Sequence, residues 1–129
     1  MGAGLLATGA AAAAMPTTVA QMRWHRRILL VTAPDAANPQ LALQRRVLRE
    51  WRGGGDRDLS VVQLVGGAVE GAGDTATGLR RRFKLPPDRF AALLIGKDGG
   101  VKLRSAQPLS PDTLQGTIDA MPMRQAGQR

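Results

Sequence analysis

Apolar residues along the chain alternate between short unbroken runs and stripes at helical spacing. Ile28-Leu29-Leu30-Val31 is a continuous run, with charge before it and Pro34-Asp35 after it, and reads as a strand buried on both faces. A helix is predicted from Pro39, with Asn38 as its N-cap. On it Leu41, Leu43, Val47, Leu48 and Trp51 share one face, Arg45, Arg46, Arg49 and Arg52 take the other, and Gly53-Gly54-Gly55 ends it. The mostly apolar LSVVQLV of Leu59–Val65 predicts a second strand. Residues 66–73 read as a loop, and Asp74 is placed to cap a short helix over residues 75–83, with Ala76, Leu79 and Phe83 toward the sheet.

Residues 90–104, FAALLIGKDGGVKLR, hold the clearest local signal. Ala91–Ile95 is a buried strand, Asp98-Gly99 a tight-turn dipeptide, and Val101-Lys102-Leu103-Arg104 alternates as a half-exposed strand. Asp-Gly predicts a primed hairpin turn with both central residues at positive φ. Ser110-Pro111-Asp112 starts a last helix, on which Leu114, Ile118 and Met121 form the core stripe before Pro122 stops it. The order β-α-β-α-β-β-α, a parallel βαβ unit followed by a hairpin and a closing helix, is the thioredoxin-like α/β arrangement with a mixed four-stranded sheet.

Length allows one domain, placed at residues 24–124, with 125–129 as a flexible tail. Residues 1–20 are uncharged and rich in Ala and Gly. Small residues around Ala14 and before Gln21 suit secretory cleavage, although no basic n-region precedes them. The segment is expected to be a signal peptide or a disordered Ala-rich arm. The first makes the protein periplasmic or secreted; an uncleaved segment would leave it cytoplasmic. It is too Gly-interrupted for a spanning helix.

Chemistry is bounded by what the composition lacks. There is no cysteine, which excludes thiol nucleophiles, disulfides, iron–sulfur clusters and Cys-ligated zinc. One histidine excludes a site of several imidazoles within one chain. The net charge of +8 favours acidic partners, but the arginines are spread from Arg23 to Arg129 rather than clustered, so nucleic acid is disfavoured as a partner. A protein or an anionic polymer fits better, and no cofactor or metal is expected.

The stretches GKDGGVKLR at residues 96–104 and IDAMPMR at 118–124, with Arg57-Asp58-Leu59, Leu79-Arg80-Arg81-Arg82-Phe83 and the opening at residues 24–31, resemble a thioredoxin-like, peroxiredoxin-related family of domains of unknown function. That family is similar to small bacterial proteins, often exported, to the C-terminal domain of animal sushi-repeat-containing proteins, and to the repeated domain of an extracellular-matrix protein down-regulated by oncogenes. The resemblance implies a fold and an extracellular tendency, not a reaction. In thioredoxins the reactive cysteine lies between the first strand and first helix, here residues 32–39, where none is present. The position of their cis-proline is taken by Phe90-Ala91. Thiolate chemistry is therefore out of reach.

The candidate binding residues are Pro34, Asp35 and Asn38 at the thioredoxin-type cleft, Lys97, Asp98, Lys102 and Arg104 on the hairpin, and Arg124. The hairpin cations could form an anion-binding rim or simply a solvated turn. Asp119, opposing its helix dipole, is expected to pair with Arg124. His25 reads as a surface residue, Met121 as core, and Met123 as a plug or contact surface. No catalytic residue is assigned. An enzyme related to oxidoreductases, using non-thiol groups in the cleft expected between Pro34-Asp35 and the hairpin, is the alternative, with only Asp35, Asn38 and Gln40 to support it.

Overall fold

A computed structural model describes residues 17–127. Most of the expected N-terminal arm, residues 1–16, and the last two residues lie outside the described residues. The sheet is built outward from β1 (Arg27–Ala33), every residue of which is buried. Because successive side chains of a strand point to opposite faces, Ile28 and Leu30 enter one apolar layer while Leu29, Val31 and Ala33 enter the other. Each such fully buried Leu, Ile or Val contributes roughly 1.5–3 kcal/mol of transfer free energy. The continuous apolar run is the signature of this two-sided burial.

β2 (Leu59–Val65) pairs parallel with β1 along its length, and β4 (Ala91–Ile95) pairs antiparallel on the other side. β5 (Val101–Ser105) closes that edge as the second arm of the hairpin. The sheet has five strands rather than the four predicted, in the order β3 (Ala68–Glu70), β2, β1, β4, β5. The extra strand, β3, lies inside the segment expected as a loop and pairs antiparallel with β2. Gly66, at φ +60°, supplies the positive φ at the first central position of a two-residue Gly66-Gly67 turn, and the chain folds straight back.

α1 (Pro39–Glu50) and α3 (Pro111–Asp119) supply Leu41, Leu114 and Ile118 to one face of the sheet. On the other face α2 (Ala76–Phe83) supplies Leu79 and Phe83, beside Val19 and Met22 from a short 3-10 turn and its entry. Residues 17–20, read from sequence as part of the arm, thus include a buried core residue, and Asp74 accepts the Val19 N–H at 2.8 Å. Asp74 is consequently not the α2 cap; Thr75 is, accepting from Gly78 N.

Asn38 and Ser110 cap α1 and α3 as predicted, accepting from Leu41 N and Thr113 N. Leu43, however, is 44% exposed. α1 is turned so that Leu41, Gln44 and Leu48 face inward. Gln44 tolerates burial because its amide accepts from Leu109 N at 2.7 Å and donates to Leu109 O at 3.1 Å, satisfying both ends. Pro122 ends α3 but also opens a further short helix, α4 (Pro122–Gln125), where its missing N–H costs nothing. Residues 125–127, expected as tail, continue its hydrogen bonding, Ala126 N to Pro122 O and Gly127 N to Arg124 O.

Candidate functional site

Several charged or bulky side chains gather where β1 begins and the β4–β5 loop ends. The connection at residues 96–100 is a five-residue loop, not the predicted two-residue turn. Gly99 N donates to Gly96 O and only Gly99 of the loop takes positive φ, +84°, so Asp98 is not in the left-handed region that a primed turn requires. Asp98 instead accepts from Gly100 N at 2.9 Å and from Lys102 Nζ at 2.8 Å. The Lys102 hydrogen bond, with the Gly100 N–H second, holds the Asp98 carboxyl below its ordinary value.

Lys97 is only 8% exposed, so it belongs to neither a solvated turn nor an open cationic rim. Its Nζ lies 2.9 Å from Asp58 Oδ2. Asp58 stands at φ +52° after a 3-10 turn, a conformation that aspartate tolerates better than most residues. Arg26 Nη1 approaches the same carboxylate at 3.7 Å.

Arg27 is the largest fully buried side chain, 1% exposed. Its Nη1 donates to Arg57 O at 2.8 Å and its Nε to Met121 Sδ at 3.2 Å. Burial first, then the positive Arg124 nearby, push its guanidinium below the ordinary value, with Asp58 and Asp119 opposing. Arg57 holds Asp119 through two parallel bonds of 3.0 Å, the fork geometry that makes arginine a strong carboxylate partner. Arg124 then bridges Asp119, at 3.1 Å, to Asp56, at 2.6 Å. The expected Asp119–Arg124 pair is present, joined by Arg57. Asp119 is held below the usual carboxylate range by the Arg57 hydrogen bond, against some burial, and then by Arg124. Arg124 is held above its ordinary value by Asp56 and then Asp119.

Against this network lies a cavity of about 220 Å³ with mostly apolar walls, formed by Trp24, Met121, Pro122 and Met123 and bordered by Lys97 and Lys102. Met121 is core as predicted, and Met123 is half-buried at the cavity. Trp24 is 55% exposed, and its backbone is at φ +72°. A bulky residue there is a conformational outlier with a cost of roughly 1–2 kcal/mol, held here by a backbone bond from Trp24 N to Lys97 O. The Arg23 guanidinium sits 5.0 Å from the Trp24 ring centre.

The residues singled out from sequence separate into two groups. Lys97, Asp98, Lys102 and Arg124 meet at this end of the sheet. Pro34, Asp35 and Asn38 follow the opposite end of β1, seven residues and so about 20 Å away. Because β1 and β4 are antiparallel, the hairpin loop lies beside the start of β1, and Pro34-Asp35 and the loop do not face each other across one cleft. Asp35 accepts from Ala37 N, Asn38 caps α1, and Gln40 donates to Ala106 O and to Gln107. Their polar atoms serve local backbone and surface bonds, and Pro34 and Asp35 line a separate, open pocket of about 470 Å³ together with Arg45 and Glu70. Arg104 donates to Phe83 O at 2.7 Å, tying the β5 edge to the end of α2. His25 is exposed, as expected.

Sequence reasoning gave Arg27, Asp58 and Trp24 no site role, although all three lie in stretches it singled out. Arg27 looks like an ordinary charge before a strand, and nothing local marks it as buried. The one signal available was that four of the five stretches singled out as distinctive, residues 24–31, 57–59, 96–104 and 118–124, contribute to this end of the fold, while the fifth, residues 79–83, belongs to α2.

A family model described as Domain of unknown function (DUF4174) matches residues 18–127. The chain is similar to Coiled-coil domain-containing protein 80 of Danio rerio, 30% identical over 129 aligned residues that cover 82% of this chain. It is also similar to the Sushi repeat-containing protein SRPX of Homo sapiens and of Rattus norvegicus, 33% and 32% identical over 109 aligned residues and 77% of this chain. The matched regions span only 15% of the length of the first and 24% of each of the others. No solved structure matches significantly.

Proposed function

From the premise that the chain belongs to the domain-of-unknown-function family DUF4174, we propose that it is an exported, non-catalytic, thioredoxin-like module that binds another protein. One observation carries the reading: four of the five distinctive stretches converge on a surface whose charged groups are committed to one another, next to an exposed tryptophan and an apolar cavity. A catalytic site calls for polar groups converging on open space with tuned proton affinity. Here the Lys97–Asp58, Lys102–Asp98, Arg57–Asp119 and Arg124–Asp56 pairs hold the charges in a scaffold, while Trp, Met and Arg at the surface are the residues enriched in protein interfaces. The absence of cysteine argues against thiol redox work.

The thioredoxin-like assignment rests on the element order, with β3 as an addition at one edge. Export rests on the composition of residues 1–20; none of the helices among the described residues is long and apolar enough to cross a membrane. An anionic polymer is the second reading, favoured by the charge of +8 and by the exposed Arg46, Arg49, Arg81 and Arg82. Affinity capture of the tagged protein from its native host, at low and high salt, separates the two. A salt-resistant protein partner and a processed bait N-terminus support the exported module. Retention only of a salt-sensitive polyanion supports the second reading, because phosphate or sulfate contacts weaken steeply with salt.

A further inference from the structure

We infer that the cavity beside Trp24 is a docking socket for one aromatic or branched apolar side chain of a partner protein, presented in an acidic segment. This rests on the binding-module reading and names the chemistry of its site.

Three observations specify the occupant. The first is size. A cavity of 150 Å³ with apolar walls holds benzene, so the 220 Å³ here is enough for a phenyl ring or a leucine side chain. The second is charge. At the border Lys102 is paired with Asp98 and the buried Lys97 with Asp58, and the exposed Arg23, standing over Trp24 beside Gly99, adds a further positive charge. An acidic flank is attracted to this border, whereas a basic one is repelled. The third is the rim. Trp24 is kept at positive φ and is 55% exposed, and among the described residues the other exposed large apolar side chains are Leu43 and Val101. Strained, exposed aromatics of this kind belong to recognition surfaces. The cavity is open on one side, and its cations are already bonded to Asp58 and Asp98, so an extended chain draped over the rim fits it better than an enclosed small molecule.

The test is amide-shift mapping of the whole chain titrated with the probe acetyl-Asp-Asp-Phe-Asp-Asp-amide. Saturable shifts are expected at Trp24, Gly96, Lys97, Met121 and Met123. They should weaken at least tenfold when alanine replaces the probe's phenylalanine, in the variant Trp24→Ala, and in the rim variant Lys102→Glu, whose retained fold is read from the dispersion of the same spectra. Equal binding of the alanine probe, or shifts spread over the α1 arginines, overturns the socket. Tighter binding of free 3-phenylpropanoate than of the peptide assigns the cavity to a small aromatic acid, and self-association abolished by Trp24→Ala assigns it to a second copy; either overturns the proposal. A host partner captured equally by wild type and Lys102→Glu leaves the binding module standing and removes this socket. No partner for either, together with no peptide shifts, removes both.

Discussion

Replacing Lys97 by methionine distinguishes a buried ion pair from a solvated turn. Methionine keeps the length and apolar stem of lysine, so the change removes a charge without opening a large void. Lys97 is 8% exposed and its Nζ lies 2.9 Å from Asp58, whose side chain is itself mostly covered. Removing one member of a buried pair costs about 3–5 kcal/mol, because the partner stays desolvated. Arg26, 3.7 Å from Asp58 and partly exposed, recovers a fraction, which brings the expected loss to about 2–3 kcal/mol. For a domain of this size that is a fall in Tm of roughly 10–15 °C. The companion variant Asp58→Asn keeps a side chain that tolerates φ +52°, and the double variant should lose less than the sum of the two single variants by 1 kcal/mol or more. Urea denaturation followed by circular dichroism measures all four proteins. A loss under about 0.5 kcal/mol for Lys97→Met, with additive singles, would place the lysine in the class of surface pairs and refute the buried-network account.

Three further outcomes follow from the geometry. Thr32 is buried in β1 and its hydroxyl has no hydrogen-bond partner among the described residues, so Thr32→Val, nearly isosteric, should be neutral or raise stability by about 1 kcal/mol in the same urea assay. Trp24→Gly relieves a positive φ at the cost of chain entropy, so its stability should stay within about 1 kcal/mol of wild type while probe binding is lost; a drop beyond 3 kcal/mol by calorimetry would make Trp24 a core residue. Asp98 and Asp119 are held below their ordinary values in the fold, so their contribution is present above the unfolded carboxylate pKa of about 4 and disappears as pH falls through the depressed native values. Asp119→Asn should accordingly flatten the loss of stability on acidification below about pH 4, read from Tm against pH, and an unchanged acid limb would count against the Arg57–Asp119–Arg124 network.

The central layers were legible because burial on both faces leaves an unbroken apolar run, as in residues 28–31 and Ala91–Ile95. Caps were legible where a side-chain oxygen preceded proline, at Asn38 and Ser110. β3 was missed although Val65-Gly66-Gly67-Ala68 carries a two-glycine hairpin signal, because three residues are too few to show alternation. Leu43 was placed on the wrong face since Gln44 reads as polar until its partner Leu109, distant in sequence, is known. The site was legible only in pieces for the same reason. Lys97 and Asp58 are 39 residues apart and Arg27 and Met121 are 94 apart, and no local pattern announces a pairing that the sheet topology creates.

The claim that this domain works by binding through the hairpin end of its sheet is tested most directly by mapping amide shifts of the labelled chain on addition of its captured native partner. The account predicts shifts concentrated at Trp24, residues 96–100 and residues 121–124, with saturation that survives added salt. Shifts centred on residues 34–38, or spread across Arg46, Arg49 and the α2 arginines and abolished by salt, would contradict it.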